Sequence, residues 1–108
     1  MATSLTLDTS RTGGGELVLT ATGELDLSNI EPFTQVLAED VAEAAGRDEM
    51  LTVDLRGIDY LDSTAVNALF AHAERIIVLA NPFLVRVFDI SGLTELATVK
   101  SMSPQVDD

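Results

Sequence analysis

The sequence predicts a single α/β domain in which helices pack mainly on one face of a mixed β-sheet of four to five strands. In some segments apolar residues alternate with polar ones, at the period of a strand, and in others they recur at the three-and-four spacing of a helix. The two kinds of segment alternate along the chain, which favours parallel strands joined by right-handed crossovers. The 108 residues are enough for one hydrophobic core.

The chain opens with a pair of predicted strands. Leu5 and Leu7 alternate with polar residues in the first, and Leu17, Leu19 and Ala21 recur at every second position in the second. Three consecutive glycines at residues 13–15 lie between them and indicate a flexible loop.

The first helix follows, with Ser28 and Asn29 as candidate N-cap residues. Gly46 is expected to end it. One face of this helix is apolar and consists of Ile30, Phe33, Leu37, Val41 and Ala44.

The second half of the chain repeats the strand-then-helix order. A strand is predicted over residues 50–55, a helix after Ser63, a short strand within residues 76–80 and a third helix from Asn81 to Gly92. Residues 93–99 form a last strand or a short helix. We expect the domain to cover residues 1–100 and residues 101–108 to form a mobile tail.

The joint between the second helix and the next strand is compressed. No glycine, proline or asparagine occurs between Ala73 and Ala80 to reverse the chain. Either the helix ends early or the strand starts late, and we expect a strand no longer than Ile77 to Ala80.

Composition excludes several function classes. Eighteen acidic residues against six basic ones give a net charge of −12, which repels nucleic-acid phosphates and anionic lipid. We therefore expect no direct contact with nucleic acid or membrane. The chain has no cysteine and one histidine, so we expect neither a metal nor a cofactor. The first residues lack the charged and apolar regions of a signal peptide, which favours the cytoplasm.

Ser63 stands where the third strand gives way to the second helix. At such a position a serine caps the helix through its hydroxyl, and the same hydroxyl lies where the helix dipole favours a phosphate. Asp26 and Asp62 end two strand-to-helix loops and are expected to approach Ser63 at one rim of the sheet. Two carboxylates can perform acid/base chemistry in a small hydrolase, but no nucleophile or metal set accompanies them, so we predict a protein that is not an enzyme.

Four motifs, in this order and spacing, resemble the STAS domains of bacterial anti-sigma factor antagonists. They are Gly-Glu-Leu-Asp at residues 23–26, Tyr-Leu-Asp-Ser-Thr at 60–64, Asn-Pro at 81–82 and Ser-Gly-Leu at 91–93. The resemblance covers approximately residues 16–96.

This resemblance implies a partner switch centred on Ser63. In the family the matching serine is phosphorylated by an ATP-dependent anti-sigma factor kinase and dephosphorylated by a PP2C-type phosphatase. The unmodified antagonist binds the anti-sigma factor, so the sigma factor is affected only indirectly. Asp26 matches the family's acid near the phosphoserine, and with Asp62 and Thr64 it is expected to contribute to the kinase interface.

One departure from the family's pattern keeps an alternative open. Family members commonly carry glycines after the Ser-Thr pair, where this chain has Ala65 and Asn67. The alternative is a STAS scaffold that is not phosphorylated, or one that binds a small molecule or nucleotide.

Overall fold

The computed structural model describes residues 4–101. Its five strands are β1 (Leu5–Arg11), β2 (Leu17–Leu25), β3 (Leu51–Leu61), β4 (Ile76–Ala80) and β5 (Thr98–Ser101). Its helices are α1 (Ile30–Gly46), α2 (Ser63–Phe70) and α3 (Pro82–Ser91), with short 3₁₀ turns at Ala73–Arg75 and Leu93–Glu95. Of the predicted mobile tail, Ser101 is the last residue of β5 and residues 102–108 lie outside the described range.

The strands form one mixed sheet in the order β1-β2-β3-β4-β5. β1 runs antiparallel to β2, and the remaining neighbours are parallel. Each crossover from β2 onward moves one position in the same direction, so right-handed crossovers place all three helices on the same face. These findings confirm the predicted fold class.

Burial along β4 shows which face the helices cover. Ile76, Val78 and Ala80 are fully buried, whereas Ile77 and Leu79 between them are only half-buried. β2 shows the same alternation, whereas the first five residues of β3, Leu51 to Leu55, are all buried. The buried apolar residues of the three strands form one layer beneath the helices. The largest fully buried side chains include Leu19, Phe33, Leu37, Leu55, Ile58, Leu69, Leu84 and Phe88.

The helix ends agree with the sequence in part. Gly92 closes α3 in the left-handed conformation with a φ of 89°, as glycine allows. α1 ends at Gly46 as expected, with Gly46 as its last helical residue and a positive φ of 60° at Asp48. Asn29 is the N-cap residue of α1, without a hydrogen bond from its side chain to the helix.

The compressed joint is resolved by an early end of α2. The helix ends at Phe70, and the chain reverses through the 3₁₀ turn, in which the Arg75 amide donates to the His72 carbonyl at 2.9 Å. The expected strand of Ile77 to Ala80 is one residue too short, because Ile76 also pairs, opposite Leu51. Full burial of Ile76 favours its inclusion in β4.

Candidate functional site

The candidate site lies where β2 and β3 end side by side. Leu25 of β2 pairs with Leu61 of β3, so the loops that follow both strands leave the sheet at the same rim. Asp26 begins one of these loops, and residues 62–64 follow Leu61 directly. The structure therefore brings all four sequence-predicted site residues to one end of the sheet.

Asp62, not Ser63, caps α2. Its backbone is extended, with φ −109° and ψ −176°. Its Oδ1 accepts hydrogen bonds from the amides of Thr64 at 3.0 Å and Ala65 at 3.4 Å, and from the Thr64 hydroxyl. Ser63 is instead the first helical residue, so the prediction that its hydroxyl caps the helix is wrong. A side-chain cap requires the extended conformation that Asp62 already occupies.

The second carboxylate oxygen of Asp62 reaches across to the loop after β2. Its Oδ2 accepts a hydrogen bond from the Leu27 amide at 3.0 Å. The hydrogen bond from the Thr64 hydroxyl has the largest effect on the pKa of Asp62 and lowers it. Desolvation raises the pKa by less, and the amides of Leu27, Ala65 and Thr64 lower it further. Asp62 is therefore a carboxylate at neutral pH, with both oxygens bonded to the protein itself.

Asp26 organises its own loop. Its Oδ1 accepts the Ser28 amide at 2.9 Å and also the Ser28 hydroxyl. Its amide donates to Oδ1 of Asn29 at 3.0 Å, and Nδ2 of Asn29 donates to the Glu24 carbonyl at 2.9 Å. Asp26 is thus linked to the start of α2 through its neighbour Leu27.

The two adjacent hydroxyls at the start of α2 differ in their surroundings. Ser63 is exposed, and its hydroxyl has no hydrogen-bond partner among residues 4–101. Thr64 is half-buried, and its hydroxyl donates to Asp62. Of the two, Ser63 is the hydroxyl that is available to another protein.

An apolar groove of about 390 Å³ opens beside Ser63, between α2 and α3. Ile90 on its α3 side is 88% exposed, and Leu27, whose amide bonds to Asp62, is 73% exposed. Sequence analysis missed both residues. Ile90 could have been found from the sequence, because it is an apolar residue that does not share the helix face of the buried Leu84 and Phe88. The groove is lined by Leu61, Asp62, Ser63, Val66, Asn67, Phe70, Val87, Ile90 and Ser91.

Residues 4–101 contain no group of three or more histidine, aspartate or glutamate side chains arranged to hold a metal ion. None of the helices in this range is long and apolar enough to span a bilayer. The hydrogen bonds of Asp62 favour a structural role for this carboxylate over acid/base chemistry.

One known protein family matches most of the chain. A family model described as "Mlab, STAS domain" matches residues 9–100. No curated protein sequence matches the chain.

Solved structures share the fold. An anti-sigma factor antagonist from Mycobacterium paratuberculosis is 23% identical and superposes with a TM-score of 0.78, covering 96% of this chain and 89% of that one. The anti-sigma factor antagonist SpoIIAA in its unphosphorylated form is 19% identical, with a TM-score of 0.64 and coverage of 89% of each chain. The phosphorylated form of the Bacillus cell fate determinant SpoIIAA is 21% identical, with a TM-score of 0.56 and coverage of 89% and 92%.

Proposed function

The chain belongs to the STAS domain family, and from this premise we propose that it is an anti-sigma factor antagonist switched by phosphorylation of Ser63. In this proposal the unmodified protein binds an anti-sigma factor that is also a serine kinase. Phosphorylation releases that partner, and a PP2C-type phosphatase restores the unmodified state. The sigma factor is controlled indirectly, in the cytoplasm, without direct contact of this protein with nucleic acid.

The observation that carries the proposal is the exposed Ser63 hydroxyl beside the ionised Asp62. A phosphate there adds about −1.5 to −2 charges. The amides of Thr64 and Ala65, which could stabilise a phosphate at a helix N-terminus, already bond to Asp62. Repulsion from Asp62 is therefore poorly compensated, and a partner surface that fits the unmodified rim meets new charge and bulk.

The solved neighbours support this mechanism in two ways. The mycobacterial neighbour is described as an anti-sigma factor antagonist, and SpoIIAA has been solved in unphosphorylated and phosphorylated forms. A fold of this kind therefore accepts a phosphate. Catalysis belongs to the partner in our proposal, since phosphoryl transfer requires nucleotide and metal ligands.

The test is phosphorylation in vitro by the anti-sigma factor serine kinases of the source organism, with ATP and Mg²⁺. We expect mass spectrometry to place one phosphate on Ser63, none on Ser63→Ala and an unchanged amount on Thr64→Val. Calorimetry should then show that Ser63→Ala binds the kinase as tightly as the wild type, and that Ser63→Asp binds it more weakly. Phosphate on Thr64 alone, or equal binding by all variants, contradicts the switch at Ser63.

The second candidate function is a STAS scaffold that is not phosphorylated, or one that binds a small molecule or nucleotide. Asn67, at a position where the family commonly has glycine, is exposed and lines the groove beside Ser63, which favours it. Ala65 does not, because its side chain is fully buried and does not narrow the approach to Ser63. Partner binding that is insensitive to both Ser63→Ala and Ser63→Asp supports this second function.

A further inference from the structure

We propose that the groove between α2 and α3 is the docking site for an apolar side chain of the partner protein, flanked on the partner by lysine or arginine. The proposal rests on the function proposed above and extends it, because it places binding energy away from Ser63 and defines the chemistry of the partner. The groove consists of Val66, Phe70 and Val87, with Ile90 at its edge and Ser63 at the start of α2.

The first argument is the exposure of apolar side chains near Ser63. Leu27 and Ile90 are 73% and 88% exposed. The backbone of both residues is held in place, because the amide of Leu27 donates to Asp62 and Ile90 lies within the last turn of α3. Fixed, exposed apolar residues around a shallow groove are typical of a protein interaction site.

The second argument is charge. Glu24, Asp26, Asp59 and Asp62 all lie within two residues of the paired strand ends Leu25 and Leu61, and no basic residue does. Arg56, the nearest basic residue of β3, is occupied by Asp54, with bonds of 2.8 and 3.0 Å to the two carboxylate oxygens. Of these carboxylates Asp62 also lines the groove, whereas the exposed Arg86 lies one helical turn before Ile90 on α3. The groove is therefore acidic on the side of the strand ends, where it complements a partner with an apolar anchor and basic neighbours.

The same observations argue against two other occupants. A second copy of this chain also carries a net charge of −12 and the same acidic rim, so the two copies repel each other. A small apolar ligand is normally enclosed on most sides. Ile90, however, is 88% exposed at the edge of the groove and is covered only by a larger surface.

Binding of the kinase to groove variants tests the proposal. We expect Ile90→Ser and Leu27→Ser each to weaken calorimetric binding of the kinase by roughly tenfold or more. Met50→Ser is the matched control, because Met50 is 39% exposed and directly precedes β3, at the opposite end of the sheet from Ser63. Circular dichroism should show all three variants folded. Normal binding by Ile90→Ser and Leu27→Ser, with Ser63 still phosphorylated, overturns the groove proposal and leaves the proposed function intact.

A second measurement applies whether or not any kinase binds. A 14-residue amphipathic peptide of leucine and lysine is titrated into the ¹⁵N-labelled full chain, beside versions with serine for leucine and glutamate for lysine. We expect localised shifts of the amides of Val66, Phe70 and Ile90 with the leucine-lysine peptide only, and their loss in Ile90→Ser. Equal shifts with the serine-lysine peptide, saturation of the groove by decanoate or a concentration-dependent dimer on ultracentrifugation each overturn the proposal.

Discussion

Asp62 and Leu27 join two loops that come from different strands. The Oδ2 atom of Asp62 accepts the Leu27 amide at 3.0 Å, while its Oδ1 atom accepts the first free amides of α2. One carboxylate therefore fixes the loop after β2 against the helix that carries Ser63. The geometry around Ser63 is set by its neighbour and does not depend on the Ser63 side chain.

This relationship predicts a difference in stability between two adjacent substitutions. Asp62→Ala removes a helix cap and a link between loops and should lower the free energy of unfolding by about 1–2 kcal/mol. Ser63→Ala removes an exposed hydroxyl without a partner and should change it by less than about 0.5 kcal/mol. Urea denaturation at pH 7 measures both. Equal losses in the two variants would return the capping role to Ser63.

Asp40 predicts a pH dependence of stability. It lies in α1, is 8% exposed and accepts the Thr9 hydroxyl at 2.6 Å. Burial raises its pKa, the Thr9 hydrogen bond opposes this, and the nearby charges of Glu43 and Glu39 raise it further. Because the pKa is raised in the folded state, the contribution of Asp40 to stability is fully present below the ordinary aspartate pKa and is lost as the pH rises through the raised value.

Asp40→Asn should therefore gain stability relative to the wild type as the pH rises from 4 to 7. Asparagine retains an acceptor for Thr9 and carries no charge to bury. Urea denaturation across this range is the measurement, with the exposed Asp8→Asn of β1 as control. A difference between Asp40→Asn and the wild type that does not change with pH would refute the prediction.

Two glycines are predicted to respond to alanine in opposite ways. Gly23 has a φ of 109°, and a methyl group there would overlap the carbonyl oxygen of Ser4. Gly23→Ala should cost about 1–3 kcal/mol or more. Gly46 is helical and a methyl group there would have no neighbour within 4 Å, so Gly46→Ala should stabilise by about 0.5–1 kcal/mol. Thermal unfolding distinguishes them, and a shift of the same sign in both would contradict this account.

Asp26→Ala should affect partner binding more than stability. The substitution removes hydrogen bonds within the exposed loop that presents Leu27 and should cost about 1 kcal/mol of stability. Calorimetry should show that this variant also binds the kinase more weakly than the wild type. If the free energy of unfolding instead falls by several kcal/mol and the folded variant binds the kinase normally, Asp26 has a structural role.

Local periodicity was sufficient for most of the fold. The alternation of buried residues in β2 and the helical spacing in α1 follow directly from the sequence, as does the stop at Gly92. The position of the cap of α2 did not follow, because both Asp62 and Ser63 are good cap residues and only the backbone angles decide between them.

Only the part of the candidate site formed by residues directly after the predicted strands could be predicted from the sequence. Asp26 and Asp62 follow predicted strands, so their meeting at one rim was foreseeable. The bond from the Leu27 amide to Asp62 joins residues 35 positions apart and required the register of β2 and β3. The groove beside Ile90 depends on how α2 and α3 pack, which periodicity does not specify.

The two sides of α2 are subject to different packing constraints. Ala65, Val66 and Leu69 are buried in the core, whereas Ser63 and Asn67 face solvent. Substitutions on the solvent side leave the packing of the core unchanged and cost little folding free energy. The surface that this helix presents can therefore be redesigned without redesigning the fold.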